Sequence, residues 1–152
     1  MIIKRKYNYF EGDADQKFII ESMKKYVKEK QEMDKFLETL ISPILEKNNQ
    51  KILDACCGIG HIDYFLSELN HSNEFLGVDQ TKYLIDEAKK ICNKKNVRFE
   101  EGNIYDLPKK FEKFFDITIN WKTISWIPYY DEFIKSLFKI TKSHIFLSSL
   151  FY

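Results

Sequence analysis

Lys51-Ile52-Leu53-Asp54-Ala55-Cys56-Cys57-Gly58-Ile59-Gly60 joins a buried strand to a glycine turn. Its first half, 51–56, is a short apolar run of the kind that fills the middle of a sheet. Its second half bends sharply before an amphipathic helix, His61 to Leu69, with Ile62, Phe65, Leu66 and Leu69 on one face. Gly58 and Gly60 permit a tight turn and let backbone amides approach a ligand with no Cβ in the way.

Downstream the same texture repeats. Strands are expected at 74–79, 97–101, 115–120 and 144–148, with helices at 81–92 (Leu84, Ile85, Ala88, Ile91 and Cys92 inward) and 131–140. The 102–114 stretch, broken by Pro108, reads as irregular. Upstream, Asp13 and Gln16 have the spacing of a capping box and open a helix. A second apolar stripe follows at Met33, Phe36, Leu37, Leu40, Ile41 and Ile44, in which Pro43 should kink or restart the helix before Asn48-Asn49-Gln50 ends it. Strand and helix alternating through short connections predict an α/β fold, a doubly wound, mainly parallel sheet with helices on both faces. Residues 1–50 form an N-terminal helical segment of the same domain, and 51–152 form the ligand-binding α/β core.

Composition narrows the function. The chain has 152 residues, 44% of them hydrophobic, and a net charge of +1 with 24 Lys+Arg against 23 Asp+Glu. That is enough to bury a core and too balanced for a phosphate-backbone reader, so no nucleic-acid partner is expected. No run has membrane-spanning or signal-peptide length, so no membrane partner is expected either. Three cysteines, 56, 57 and 92, without paired spacing suit a reducing cytoplasm. His61, His71 and His144 show no ligand spacing, and no metal site is expected.

Ligands of such sheets bind beyond the carboxyl ends of the strands. Asp79 closes the second strand, where a carboxylate can accept both hydroxyls of a ribose. The bland alternative is a structural glycine turn and an Asp that merely caps the next helix. A dinucleotide fingerprint would require a third glycine at 63, and this chain has Asp63, which repels a pyrophosphate. An adenosine without phosphates fits better. An NAD(P)-dependent oxidoreductase, which shares strand, turn and acid, is the competing reading, and a non-catalytic module that binds an adenosyl ligand is another.

On these residues the chain resembles the class I S-adenosylmethionine-dependent methyltransferases, a Rossmann-like family, from about Leu40 to its end. Ile52 to Gly60 looks like their first motif, which implies that Asp54 engages the methionine end and that Cys56, Gly58 and Gly60 line the turn. Leu76-Gly-Val-Asp79 looks like the second, with Asp79 on the ribose and Gln80 beside the adenine. Glu101 to Pro108 is similar to the third, placing Asn103 and Ile104 at the adenine edge. Phe115 to Pro128 looks like the fourth strand and its loop, placing Asn120, Trp121 and Lys122 near the transferred methyl. The resemblance implies S-adenosyl-L-methionine as cofactor and in-line methyl transfer to a small-molecule O or N acceptor.

Three departures stand out. Cys56 replaces the first glycine, Asn103 replaces a common Asp, and the family's seven-stranded sheet is matched only through its fifth strand. The chain is therefore expected to be truncated or minimal, and its open terminal strand to invite self-association. Base candidates are His61, Asp63, Lys122, Tyr129 and Tyr130. Against that role, His61 has the position of an exposed first-turn imidazole, Asp63 of a solvated helix-start charge and Lys122 of a surface amine. Tyr7, Tyr9 and Phe10, with Trp121, Trp126, Tyr129 and Tyr130, could form an aromatic lid, or could be ordinary packing residues.

Overall fold

The structure is a computed structural model that describes residues 13–127 and 129–149. Pro128 and the aromatics Tyr7, Tyr9 and Phe10 lie outside the described residues. Five strands form one parallel sheet: β1 (Lys51–Ala55), β2 (Glu74–Asp79), β3 (Val97–Glu101), β4 (Phe115–Asn120) and β5 (Thr141–Leu147), in the order β3-β2-β1-β4-β5. The helices are α1 (Asp13–Lys28), α2 (Glu32–Leu45), α3 (His61–Leu66), α4 (Lys82–Ile91) and α5 (Tyr130–Ile140). This is the expected doubly wound α/β architecture.

Strand order follows from which faces are apolar. Ile52, Ile117 and Ile119 point to one side, where Leu37 and Ile41 of α2, Ile62 and Leu66 of α3, and Ile85 and Ala88 of α4 bury them. Leu53, Ala55, Leu76 and Val78 point to the other, against Ile104, Leu107 and the α5 residues Phe133, Leu137 and Ile140. Strands clad on both faces carry near-continuous apolar runs, and β1 is the clearest case. The chain leaves β1 toward β2 on one side and β4 toward β5 on the other, so the topological switch lies between β1 and β4. Asp54 is paired there with Ile119.

Several local expectations are corrected. Pro43 neither restarts nor ends α2, which continues to Leu45; the ring forfeits only its own bond toward the Thr39 carbonyl, and the helix closes two residues later. Only part of the α2 stripe is inward: Leu37, Ile41 and Leu45 are buried, while Met33, Phe36 and Leu40 are exposed. Helix α3 stops at Leu66, leaving Leu69 exposed. Residues 104–109, expected to be irregular, form a 3-10 helix whose first turn is closed by Asn103 Oδ1 accepting from the Tyr105 amide at 3.0 Å. Strand β5 begins three residues early, directly from α5, because Thr141 pairs with Phe115 across an irregularity in the ladder.

Candidate active site

Backbone conformation at the turn after β1 is unusual. Cys56, Gly58 and Gly60 have φ of 65°, 57° and 73°, so three alternate residues adopt the left-handed region. Two are the glycines that tolerate it. Cys56 is not, and a side chain there carries about 1 kcal/mol or more of backbone strain. The glycines differ in purpose. A Cβ on Gly60 would fall 2.5 Å from the Phe99 ring, so that glycine lets α3 close on β3. A Cβ on Gly58 would meet only the Met23 methyl of α1, at 2.7 Å, on the open side of the turn.

Asp79 ties this turn to the next helix. Its Oδ2 accepts from the Gly58 amide at 3.0 Å and its Oδ1 from the Thr81 amide at 2.9 Å. Burial raises its pKa, and these backbone hydrogen bonds oppose the rise. The carboxylate therefore does the structural task the bland reading assigned to it. A carboxylate has about four acceptor positions, so two bonds leave capacity for ribose hydroxyls. Gln80 and Ile104 stand at the same end of the sheet, Ile104 buried against Val78 and Leu76.

Between β1 and β4 lies a concentration of unsatisfied polar atoms. Among the described residues, the buried side-chain atoms without a hydrogen-bond partner are Asp54 Oδ2, both ring nitrogens of His61, both oxygens of Asp63, Asn120 Oδ1, Trp121 Nε1 and Ser149 Oγ. All of them lie at or just after the carboxyl ends of β1, β4 and β5. Buried polar groups are normally paired, and each orphan costs about 1–3 kcal/mol. They are grouped at the switch point, which makes this end of the sheet the candidate site. Asn120 is held by its other end, Nδ2 donating to the Ala55 carbonyl at 2.8 Å.

Two base candidates are not the solvated groups that their sequence positions suggest. Asp63 is fully buried and His61 is 9% exposed. Burial drives the His61 pKa down to about 4, with Lys122 pushing the same way and Asp34 opposing. The imidazole is thus neutral near pH 7. Lys122 is no free surface amine either. Its Nζ lies 2.7 Å from Asp34 Oδ1 and 2.7 Å from Gln31 Oε1, and its backbone is also left-handed, φ 62°. Tyr26 of α1 packs beside His61, ring centroids 5.7 Å apart. Helices α1 and α2 thereby close over the turn and the β4 exit through Met23, Tyr26, Gln31 and Asp34. Asp34 and Gln31 were missed in the sequence, where nothing local marks a residue whose partner is distant in the chain. Trp121 is buried, whereas Trp126, Tyr129 and Tyr130 are exposed, Trp126 by 63%.

A strand, a left-handed glycine turn, an acid closing the next strand and orphaned polar atoms at the switch point are features of doubly wound α/β domains that hold a ligand at the carboxyl ends of their strands. A methyltransferase-domain family model matches residues 46–151, and the chain belongs to that family, the class I S-adenosylmethionine-dependent methyltransferases. It is 35% identical over 96 residues to demethylmenaquinone methyltransferase of Lactococcus lactis, covering 60% of this chain and 37% of that protein. It is 28% identical over 109 residues to malonyl-[acyl-carrier protein] O-methyltransferase of Bacillus cereus, covering 69% and 40%. The chain thus spans well under half the length of these curated relatives. In fold it is similar to the plantazolicin methyltransferase BamL, solved with S-adenosylhomocysteine (TM-score 0.69, 19% identity, 90% of this chain and 51% of that one). A SAM-dependent methyltransferase from Aquifex aeolicus gives 0.67 at 16% identity, over 88% and 69%.

Proposed function

We propose that this chain is the cofactor-binding core of a methyltransferase that transfers a methyl group from S-adenosyl-L-methionine to a small-molecule O or N acceptor. The observation that carries the reading is the set of buried, partnerless polar atoms at the ends of β1 and β4, beside a turn that Asp79 anchors. Asp79 would hold the ribose and Asn103 and Ile104 the adenine edge, with Gln80 beside the ring. Asp54 would face the amino-acid tail, and Asn120 and Trp121 the sulfonium end. When bound, the cofactor supplies a methyl group already activated on sulfur. The protein's task is then to hold the acceptor in line and exclude water. Helices α1 and α2 suit the second requirement, since they lie over the site.

A small acceptor fits the balanced charge, which offers no stripe for a nucleic acid. No described helix is long and apolar enough to cross a membrane, and three free thiols suit a cytoplasmic location. Self-association through β5 belongs to the same proposal. The test is thermal unfolding with S-adenosylmethionine, S-adenosylhomocysteine and NADH. Stabilisation by the two adenosyl compounds supports the reading. A response to NADH alone would replace it with an oxidoreductase, and adenosyl binding without transfer to any acceptor would leave a binding module.

A further inference from the structure

Asp63 is the departure that separates this turn from a dinucleotide fingerprint, and the reading of the site so far leaves it without a task. It is the third residue of α3, and the short helix folds back over β1 so that Asp63 meets Asp54. Neither carboxyl reaches water: Asp54 is 2% exposed and Asp63 not at all. Asp54 Oδ2 and both Asp63 oxygens have no donor. Two ionised carboxylates in contact would repel, and three buried acceptors would stay unsatisfied. One proton between them would turn the repulsion into a hydrogen bond and give these buried oxygens the partner they otherwise lack.

We propose that Asp63 is a positioning residue: a buried acid whose O–H donates to Asp54 and keeps that carboxylate oriented for the ammonium of the ligand's amino-acid tail. This rests on the reading of the pocket as an adenosyl site and adds to it a reason for an acid at position 63. Burial raises the Asp63 pKa well above the usual range, and the Asp54 charge adds to the rise. Burial likewise pushes Asp54 up to about 7, with the hydrogen bond from Asp63 pulling it down and the Asp79 charge pushing it up. The other titratable groups that face the pair are the thiols of Cys56, Cys57 and Cys92, all raised by burial and therefore neutral. His61, beside them on α3, is neutral as well. No cation among these groups serves Asp54, so the ligand's ammonium is the charge that completes it. Its arrival expels to solvent whatever proton Asp54 still carries.

The experiment is calorimetric binding of S-adenosylhomocysteine between pH 5.5 and 8.5, with 5′-methylthioadenosine, which lacks the ammonium and carboxylate, as the control. For the wild-type chain, affinity for S-adenosylhomocysteine should rise toward tenfold per pH unit below about pH 7 and flatten above it, while the control stays level. Asp63→Asn keeps a donor and should keep the midpoint. Asp63→Leu removes the donor, moves the midpoint to higher pH and weakens binding at pH 7 by tenfold or more. Identical pH profiles for the two ligands would overturn the proposal, and so would Asp63→Leu behaving as wild type. If Asp63→Leu does not fold, Asp63→Asn decides: a midpoint that stays with the wild type supports the donor role, and one that moves to higher pH overturns it. Failure of both ligands to bind would remove the adenosyl pocket itself, whereas level binding of both would remove only the role of Asp63.

Discussion

Lys122 Nζ stands 2.7 Å from Asp34 Oδ1, and so fastens the loop after β4 to the second N-terminal helix across 88 positions of chain. Asp34 is almost wholly buried, and its other oxygen takes the Gln31 amide at 3.3 Å. Lys122→Met should leave that carboxylate short of its cation and lower stability by about 1–3 kcal/mol in urea unfolding. Asp34→Asn combined with Lys122→Met should recover part of the loss. A single variant as stable as the wild type would show that the pair fastens nothing.

Asp79 holds the turn and, in the proposed function, the ligand's ribose as well. Asp79→Ala should abolish the thermal shift produced by S-adenosylhomocysteine and, by freeing the Gly58 and Thr81 amides, lower the stability of the ligand-free chain by about 1–3 kcal/mol. Scanning calorimetry with and without ligand separates the two effects.

His61 should make the chain sensitive to acid. Its folded pKa, about 4, lies below the 6.5 of an ordinary histidine, so the unfolded chain takes up the proton first. Stability is retained above pH 6.5 and lost as pH falls toward 4, by roughly 3 kcal/mol. Asp54, whose pKa is raised, acts with the opposite sign over an overlapping range. The measurement is therefore the difference between the wild type and His61→Leu, which should shrink or reverse as the pH is lowered. A constant difference would place the imidazole in water.

The left-handed turn supplies a pair of opposite outcomes. Cys56→Gly should relieve strain and raise the denaturation midpoint by about 1 kcal/mol equivalent or less, since the unfolded glycine gains entropy. Gly60→Ala must both hold φ at 73° and meet the Phe99 ring, and should cost about 2–4 kcal/mol. Equal effects of the two changes on chemical denaturation would contradict the roles assigned to these residues.

Among the described residues no strand pairs with the outer edge of β5, which begins with exposed Lys142, Ser143 and His144, residues that discourage pairing, and ends with Ile145, Phe146 and the exposed Leu147. Self-association should run through that last part. Light scattering should give a mass above 18.3 kDa for the wild type and a monomer for Leu147→Lys. A monomeric wild type would remove this interface.

The β1 strand, the glycine turn and the acid closing β2 were legible in the sequence because each is set by neighbours a few positions away: alternation, turn chemistry and the end of an apolar run. That the strands run parallel followed from the same local texture, since short helical crossovers join parallel neighbours. The state of the site residues was a different matter. Whether His61 stands in water or under two helices depends on where α1 and α2 settle, whether Asp63 does depends on how α3 closes on the sheet, and whether Lys122 is a surface amine depends on Asp34. Burial and charge pairing are sums over residues remote in the chain, and those sums take values only when the helices have packed. Local pattern determined the strand, the turn and the acid that make the candidate site, and tertiary packing decided which of the groups there are neutral, paired or without a partner.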